Sequence, residues 1–361
     1  MAEVPLYSHH IALGAKLGPF GGWQMPIEYP TGTVAEHQAV RTAVGIFDVS
    51  HMGKVVVSGV GAKEFVNSVL TNDLNRIGIG QAQYSMLCNE SGGIVDDLIV
   101  YLAGEDEVRI IPNASNAVSV VAALQALAPH SIEVIDNHLA QGIVAVQGPK
   151  SPAVMAALGL ENDLHYMAFA DVVWEDASVT VCRTGYTGEV GYELVAANSV
   201  IVRLWESLLS VGADFGLVPC GLGARDTLRT EMGYVLHGQD ISPDISPVEA
   251  RTGWAVGWGK SEFVGREALL AQREQGPQRI AWGLSAIDRG IPRAHMAVFN
   301  AADEPIGETT SGTFSPTLSK GIALALLAYE VHLGDEIFVD VRGRKLRCEV
   351  VRPPFVQTII T

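Results

Sequence analysis

Apolar and polar positions alternate most clearly over residues 81–112. The stretches YSMLCN and GIVDDLIVY, joined by ESG, read as two antiparallel strands closed by a glycine turn, and EVRIIPN as a third strand. Helical spacing marks Thr33 to Thr42, Ala62 to about Leu70 and the ASNAVSVVAALQALA segment, so residues 53–138 read as strands with packing helices. A second set follows: strand GIVAVQG, helix Ser151 to Leu158, strands VTVCRT and GYELVA around TGYTGEVG, then helices over Ile201 to Val211 and LGARDTLRTEMGY. Past Trp258 the pattern changes to short glycine-punctuated strands (AWGLSA, GIALALLAY, DEIFVDVRG, KLRCEVV), which predict a small C-terminal β-barrel.

Within GIVDDLIVY the alternation sets a problem. Asp96 shares a face with Leu98 and Val100, and Asp97 shares the other with Val95 and Ile99. Whichever face is the core, one carboxylate points into it, and an unpaired buried carboxylate is costly. Such an acid either pairs with the protein or faces a cavity, where it can exchange protons with a substrate amine.

Two other stretches carry candidate chemistry. In RTGYTGEVGYEL, alternation places Glu193 with Val195 on one face of a strand, where a carboxylate suits a ligand edge bearing two N–H donors; an ordinary exposed glutamate is the alternative. In GLGARDTLRTEMG, Arg225 and Arg229 lie four apart on one helical face, suited to an anionic substrate or to ion pairs within the protein.

Composition narrows the classes. The chain has 361 residues, 48% hydrophobic and 18% charged, which suits two or three packed domains. Its net charge of −16, with basic residues dispersed singly, argues against nucleic acid as a partner. No apolar run is long enough for a membrane span, and the N-terminus lacks a secretory pattern, so a cytoplasmic location is expected. The four cysteines form no CxxC pair and the histidines no HExxH, so reduced core thiols and no metal are expected. No nucleophile elbow, P-loop or dinucleotide GxGxxG occurs, which counts against those hydrolases, kinases and dehydrogenases.

The segments PLYSHHIALGAKLGPFGGWQMPIEY, EHQAVRTAVGIFDVSHMG, GGIVDDLIVY, TGYTGEVGYEL, GLGARDTLRTEMGY, FVGREAL and TSGTFSPTLSKGIAL follow one another along nearly the whole chain. Together they resemble the T-protein (aminomethyltransferase) family of the glycine cleavage system. The resemblance implies an α+β protein of three domains in a ring around a central folate cavity, the last a β-barrel. The first domain would combine residues 1–52 and 139–257, the second 53–138 and the third 258–361. It implies transfer of a one-carbon unit from the aminomethyl-dihydrolipoyl arm of H-protein to tetrahydrofolate, with release of ammonia. Carried onto this sequence, it makes Asp96 the catalytic acid, with Asp97 facing away in support of the hairpin. Glu193 would hold the pterin edge and Arg225 would contact substrate. Met52, Tyr84, Asn113 and either Val100 or Tyr101 would line the folate cavity. A tyrosine-bearing tail often follows PFV in the family; here Ile359 and Ile360 stand in that region, so no site is assigned there. Rival readings are a folate-dependent demethylase of the same superfamily and a folate-binding iron–sulfur assembly factor. The sequence lacks the flavin-binding segment and the KGC-type cysteine motif of such relatives.

Overall fold

The computed structural model of the chain describes residues 1–161 and 163–358. The expected α+β architecture is present, built on three main sheets. The first is contiguous in sequence and has the strand order Gln81–Cys88, Ile94–Gly104, Glu107–Pro112, Val55–Ser58, Glu133–Asp136, all antiparallel. Helices Ala62–Val69 and Ala117–Leu127 cover one face, where Val55, Val57, Val100 and Leu102 pack against Phe65, Val66, Val120 and Leu124. The double glycine of the hairpin has two separate reasons. Gly92 adopts φ 86°, and a Cβ on Gly93 would stand 1.7 Å from the carbonyl oxygen of Pro243. The glycines therefore shape the turn and let a distant loop close onto it.

The second sheet has the order Phe169–Trp174, Ala177–Cys182, Gly191–Ala197, Gln141–Gln147, Val44–Asp48, Leu217–Pro219. Val44–Asp48 comes from the N-terminal part of the chain, yet it pairs antiparallel with Gln141–Gln147 and parallel with Leu217–Pro219. Helix Asn198–Gly212 packs Leu204, Trp205 and Leu208 on one face, and Leu228 of helix Leu222–Met232 packs with Phe47 and Val40 on the other. That second helix ends at Gly233, in the left-handed conformation that glycine adopts without strain.

Six strands, Arg279–Ala286, Lys320–Ala328, Pro305–Ser315, Ala297–Phe299, Glu336–Val341 and Arg344–Val351, close into the expected barrel around Leu284, Val298, Leu327 and Val339. A small sheet of Ala2–Glu3, Trp23–Glu28 and Lys16–Phe20 has no counterpart in the sequence reading, because Pro19 and Pro26 interrupt its alternation. The four cysteines are buried and form no disulfide. Among the described residues no helix is long and apolar enough to cross a membrane.

Candidate active site

All three sheets contribute to one cavity of about 1430 Å³, together with helix Leu222–Met232 and the segment around Trp254. The pleat of Ile94–Gly104 decides which residues reach it. Asp97, Ile99 and Tyr101 turn toward the cavity, while Val100 and Leu102 turn into the helix-covered core.

Two expectations are corrected here. Asp96 is fully buried and does not line the cavity; Asp97, expected to face away, does. Val100 is likewise a core residue, and its neighbour Tyr101 is the one on the cavity wall. The cause is the same in both cases. The face that carries Asp96 and Val100 is the one the two helices cover.

The paired acids are held by amides. Asp96 accepts from the Asn113 backbone N–H (3.0 Å), Asn113 Nδ2 (2.9 Å) and Asn116 Nδ2 (2.6 Å). Asn113 Nδ2 also donates to Asp97 Oδ1 at 2.8 Å, and Asp97 Oδ2 accepts from the Tyr84 hydroxyl. Burial pushes the Asp96 carboxyl up to about 7; the neighbouring Asp97 charge adds to the rise and the Asn116 and Asn113 donors oppose it. Burial also raises Asp97, opposed chiefly by the Tyr84 hydrogen bond, with the His237 charge and Asn113 acting in the same direction. The cost of two adjacent buried acids is thus met by donors and by a shift toward the protonated form. Only Asp97 can present its carboxyl to a ligand.

Glu193 and Val195 line the cavity on the face expected for them, with Tyr192 and Leu194 in the opposite core. Thr184 Oγ1 donates to Glu193 Oε2 at 2.5 Å and lies 3.4 Å from the Tyr101 hydroxyl. The two helical arginines divide. Arg229 is engaged by Asp226, Asp240, Ser311 and the Tyr234 carbonyl. Arg225 lies over the Tyr186 ring, 4.8 Å from its centroid, with Nη1 lacking a partner among the described residues. Burial lowers the Arg225 pKa, and the charge of Glu193 works against that. Met52, Tyr84 and Asn113 also stand on the wall. Ile359 and Ile360 lie outside the described residues.

Tyr186, Trp254, His51 and Trp282 line the cavity without having been singled out in the sequence. Tyr186 sits within TGYTG, where its bulk between glycines was an available signal. Trp254 stacks on Tyr84 (centroids 5.3 Å apart, 29° between planes) but follows no periodic pattern. Burial depresses His51 to about 3, which keeps its imidazole neutral.

The cavity also gathers unpaired polar atoms. His51 Nδ1, Gln83 Oε1, Arg225 Nη1, Gln239 Oε1 and Trp282 Nε1 are buried on residues of its wall with no partner among the described residues. Buried polar atoms are normally satisfied, and five such orphans stand on residues of this one wall. Among the described residues no group of three or more His, Cys, Asp or Glu side chains could hold a metal ion.

Comparison with known proteins gives the family. A family model described as the GCVT N-terminal domain matches residues 6–260, and one described as the glycine cleavage T-protein C-terminal barrel domain matches 279–357. The aminomethyltransferase of Frankia alni is 59% identical over 353 residues, covering 98% of this chain and 97% of that protein. That of Mycobacterium tuberculosis is 54% identical over 354 residues, covering 98% and 96%. A crystal structure of glycine cleavage system aminomethyltransferase T from Bartonella henselae matches with a TM-score of 0.92 at 37% identity, over 98% of each chain.

Proposed function

The chain belongs to the glycine cleavage T-protein family, and on that footing we propose that it is a tetrahydrofolate-dependent aminomethyltransferase. Its substrates are an aminomethyl group carried on the dihydrolipoyl arm of H-protein, and tetrahydrofolate. The products are 5,10-methylenetetrahydrofolate, ammonia and the reduced arm. A cytoplasmic location and the three-domain division at residues 1–52 with 139–257, 53–138 and 258–361 belong to the same reading.

The observation that carries it is the gathering, on one cavity wall, of the Asp97 carboxyl with a separate carboxylate, Glu193, and a cation, Arg225. Glu193, steadied by Thr184, accepts from the amino-pyrimidinone edge of the pterin. Arg225 offers its unpartnered Nη1 to a substrate oxygen. Asp97 takes the place first given to Asp96: its raised pKa makes it a readier proton donor than an ordinary carboxyl toward a folate nitrogen or the departing amine. Asp96 holds Asn113, and Asn113 holds Asp97, so the buried acid is a positioning residue. Met52, Tyr84 and Tyr101 complete the wall.

The test is to mix the purified protein with aminomethyl-loaded H-protein and tetrahydrofolate and to measure methylenetetrahydrofolate and ammonia. Formation of both by the wild type supports the reading. Folate binding without product would overturn the transfer and favour a demethylase or an assembly factor.

A further inference from the structure

Between strands Ala177–Cys182 and Gly191–Ala197 the chain leaves the sheet, and residues 183–190 form an irregular loop. Thr184, Gly185 and Tyr186 of that loop line the cavity, and Glu193 follows on the next strand. A loop without the regular hydrogen bonds of a sheet needs another support if it is to hold a ligand in place. Gln147 supplies it, from the end of strand Gln141–Gln147 and directly opposite Gly191 in the register. Its side chain is fully buried and is not part of the cavity wall. Nε2 donates to the Thr184 carbonyl at 3.1 Å and to the Tyr192 carbonyl at 3.4 Å. Oε1 accepts from the Thr187 hydroxyl at 2.8 Å, and Arg41 Nη1 donates to the Thr187 carbonyl at 2.7 Å. One amide thus grips the loop on both sides of Gly185 and Tyr186.

The neighbouring glycines leave room for that amide. A Cβ on Gly185 would stand 2.0 Å from Gln147 Oε1, and one on Gly191 2.3 Å from Nε2. Neither glycine adopts a left-handed φ, so the obstacle to a side chain there is the amide and not the backbone. What the grip holds is the ligand-facing part of the loop. Thr184 Oγ1 donates to Glu193 Oε2, and the Tyr186 ring carries the Arg225 guanidinium.

We propose that Gln147 is a positioning residue for the folate: by fixing Thr184 and Thr187 it sets Glu193 and Tyr186 at the spacing that a pterin edge needs. The proposal rests on the folate reading of the cavity and deepens it. Gln147 touches no reacting atom, so it acts on affinity, through Thr184 and Glu193.

The experiment measures equilibrium affinity for tetrahydrofolate, KM for tetrahydrofolate and for loaded H-protein, and denaturant unfolding. The variants are Gln147→Met, Glu193→Gln and the two combined. Methionine fills a similar volume and removes both the donor and the acceptor. Expected for Gln147→Met is a tetrahydrofolate affinity about tenfold weaker, the scale of one or two neutral hydrogen bonds, with KM for H-protein within about twofold. In the Glu193→Gln background the same change should cost about twofold or less, because the residue it acts through has already lost its charge. A Gln147→Met protein that unfolds more easily yet binds tetrahydrofolate as the wild type does would overturn the positioning role. So would losses that simply multiply in the double variant, or equal weakening toward H-protein, since a merely structural glutamine predicts both. Where Gln147→Met fails to fold, Gly191→Ala keeps the amide and displaces it. A selective loss of tetrahydrofolate affinity is then expected, and unchanged affinity would overturn the proposal. Product formed by the wild type leaves the transferase reading standing in each of these cases. Absence of tetrahydrofolate binding in the wild type would remove that reading and the proposal with it.

Discussion

The phenol of Tyr84 donates to Oδ2 of Asp97 at 3.0 Å. Burial pushes that carboxyl's pKa up, and the Tyr84 bond is the first influence holding it down. Removing the hydroxyl in Tyr84→Phe therefore lets the Asp97 pKa rise further. The acid limb of the kcat/KM profile should move to higher pH, with the Trp254 stacking partner retained. An unmoved limb would take Asp97 out of the titration that controls turnover.

Exchanging the two acids for amides separates chemistry from positioning. Asp97→Asn should lose about a hundredfold or more in turnover, the usual scale for an acid–base group. Asp96→Asn should retain more of it, because Asp96 acts through Asn113. In that variant one amide meets the Asn113 and Asn116 amides donor to donor, at a cost of about 1–3 kcal/mol in stability. Denaturant melts beside steady-state rates distinguish the two, and equal rate losses would refute the division of roles.

The Asp96 shift also has a signature in pH. Its folded value of about 7 lies above the ordinary 3.8, so the folded chain binds this proton more tightly than the unfolded one. The stability it contributes is full below pH 3.8 and is lost as pH rises through about 7. Unfolding midpoints followed across that window should fall less steeply in Asp96→Asn than in the wild type.

Glu193 is expected to act in binding. Glu193→Gln keeps the shape and a hydrogen bond from Thr184 but gives up the charge and turns one acceptor into a donor. Equilibrium affinity for tetrahydrofolate should drop about tenfold to a hundredfold, the range of a hydrogen bond to a charged group. Unchanged affinity would move the pterin edge to another part of the wall.

Far from the acid pair, Glu231 ties three elements together. It is fully buried and accepts from His37 Nε2 (2.9 Å) and Arg41 Nη2 (2.7 Å) on helix Thr33–Thr42 and from Ser315 of the barrel. Burial pushes its pKa up, but His37, Ser315 and Arg41 outweigh that and leave it at about 2. A depressed carboxyl stabilises the fold above its ordinary 4.5 and loses that contribution as pH falls toward 2. Glu231→Gln should cost about 3–5 kcal/mol at neutral pH, as expected when one partner leaves a buried ion pair. Acid titration of the folded state should show a shallower loss in the variant.

The comparison of sequence and structure turns on what a period of two can and cannot say. Alternation stated that Asp96 and Asp97 face opposite ways, and that Glu193 travels with Val195; both hold. It could not state which face of Ile94–Gly104 the helices would cover, because that depends on where Ala62–Val69 and Ala117–Leu127 dock. Choosing the wrong face exchanges core for cavity, which is why Asp96 and not Asp97 was given the cavity, and why Val100 and Tyr101 stood as alternatives. Helix Thr33–Thr42 was legible to the residue because Gly32 precedes it and Gly45 follows shortly after. Arg251 lies in a turn and Trp254 in a three-residue 3-10 helix, both too short for a period to mark a side chain as facing a cavity. Unpaired donors such as Trp282 Nε1 are visible only once their surroundings are assembled.

The strand Val44–Asp48, buried along all five residues, has a consequence for how the chain emerges during synthesis. Its neighbours, Gln141–Gln147 and Leu217–Pro219, do not exist until long after it has been made. The sheet between Val55 and Asp136 needs no such wait, since all its strands come from continuous chain. The acid-bearing sheet can therefore close first, while an apolar VGIFD segment stays open until the second sheet reaches it. A nascent copy in which the sheet bearing Asp97 has closed while VGIFD still lacks its two neighbours would be the form most open to association with other copies.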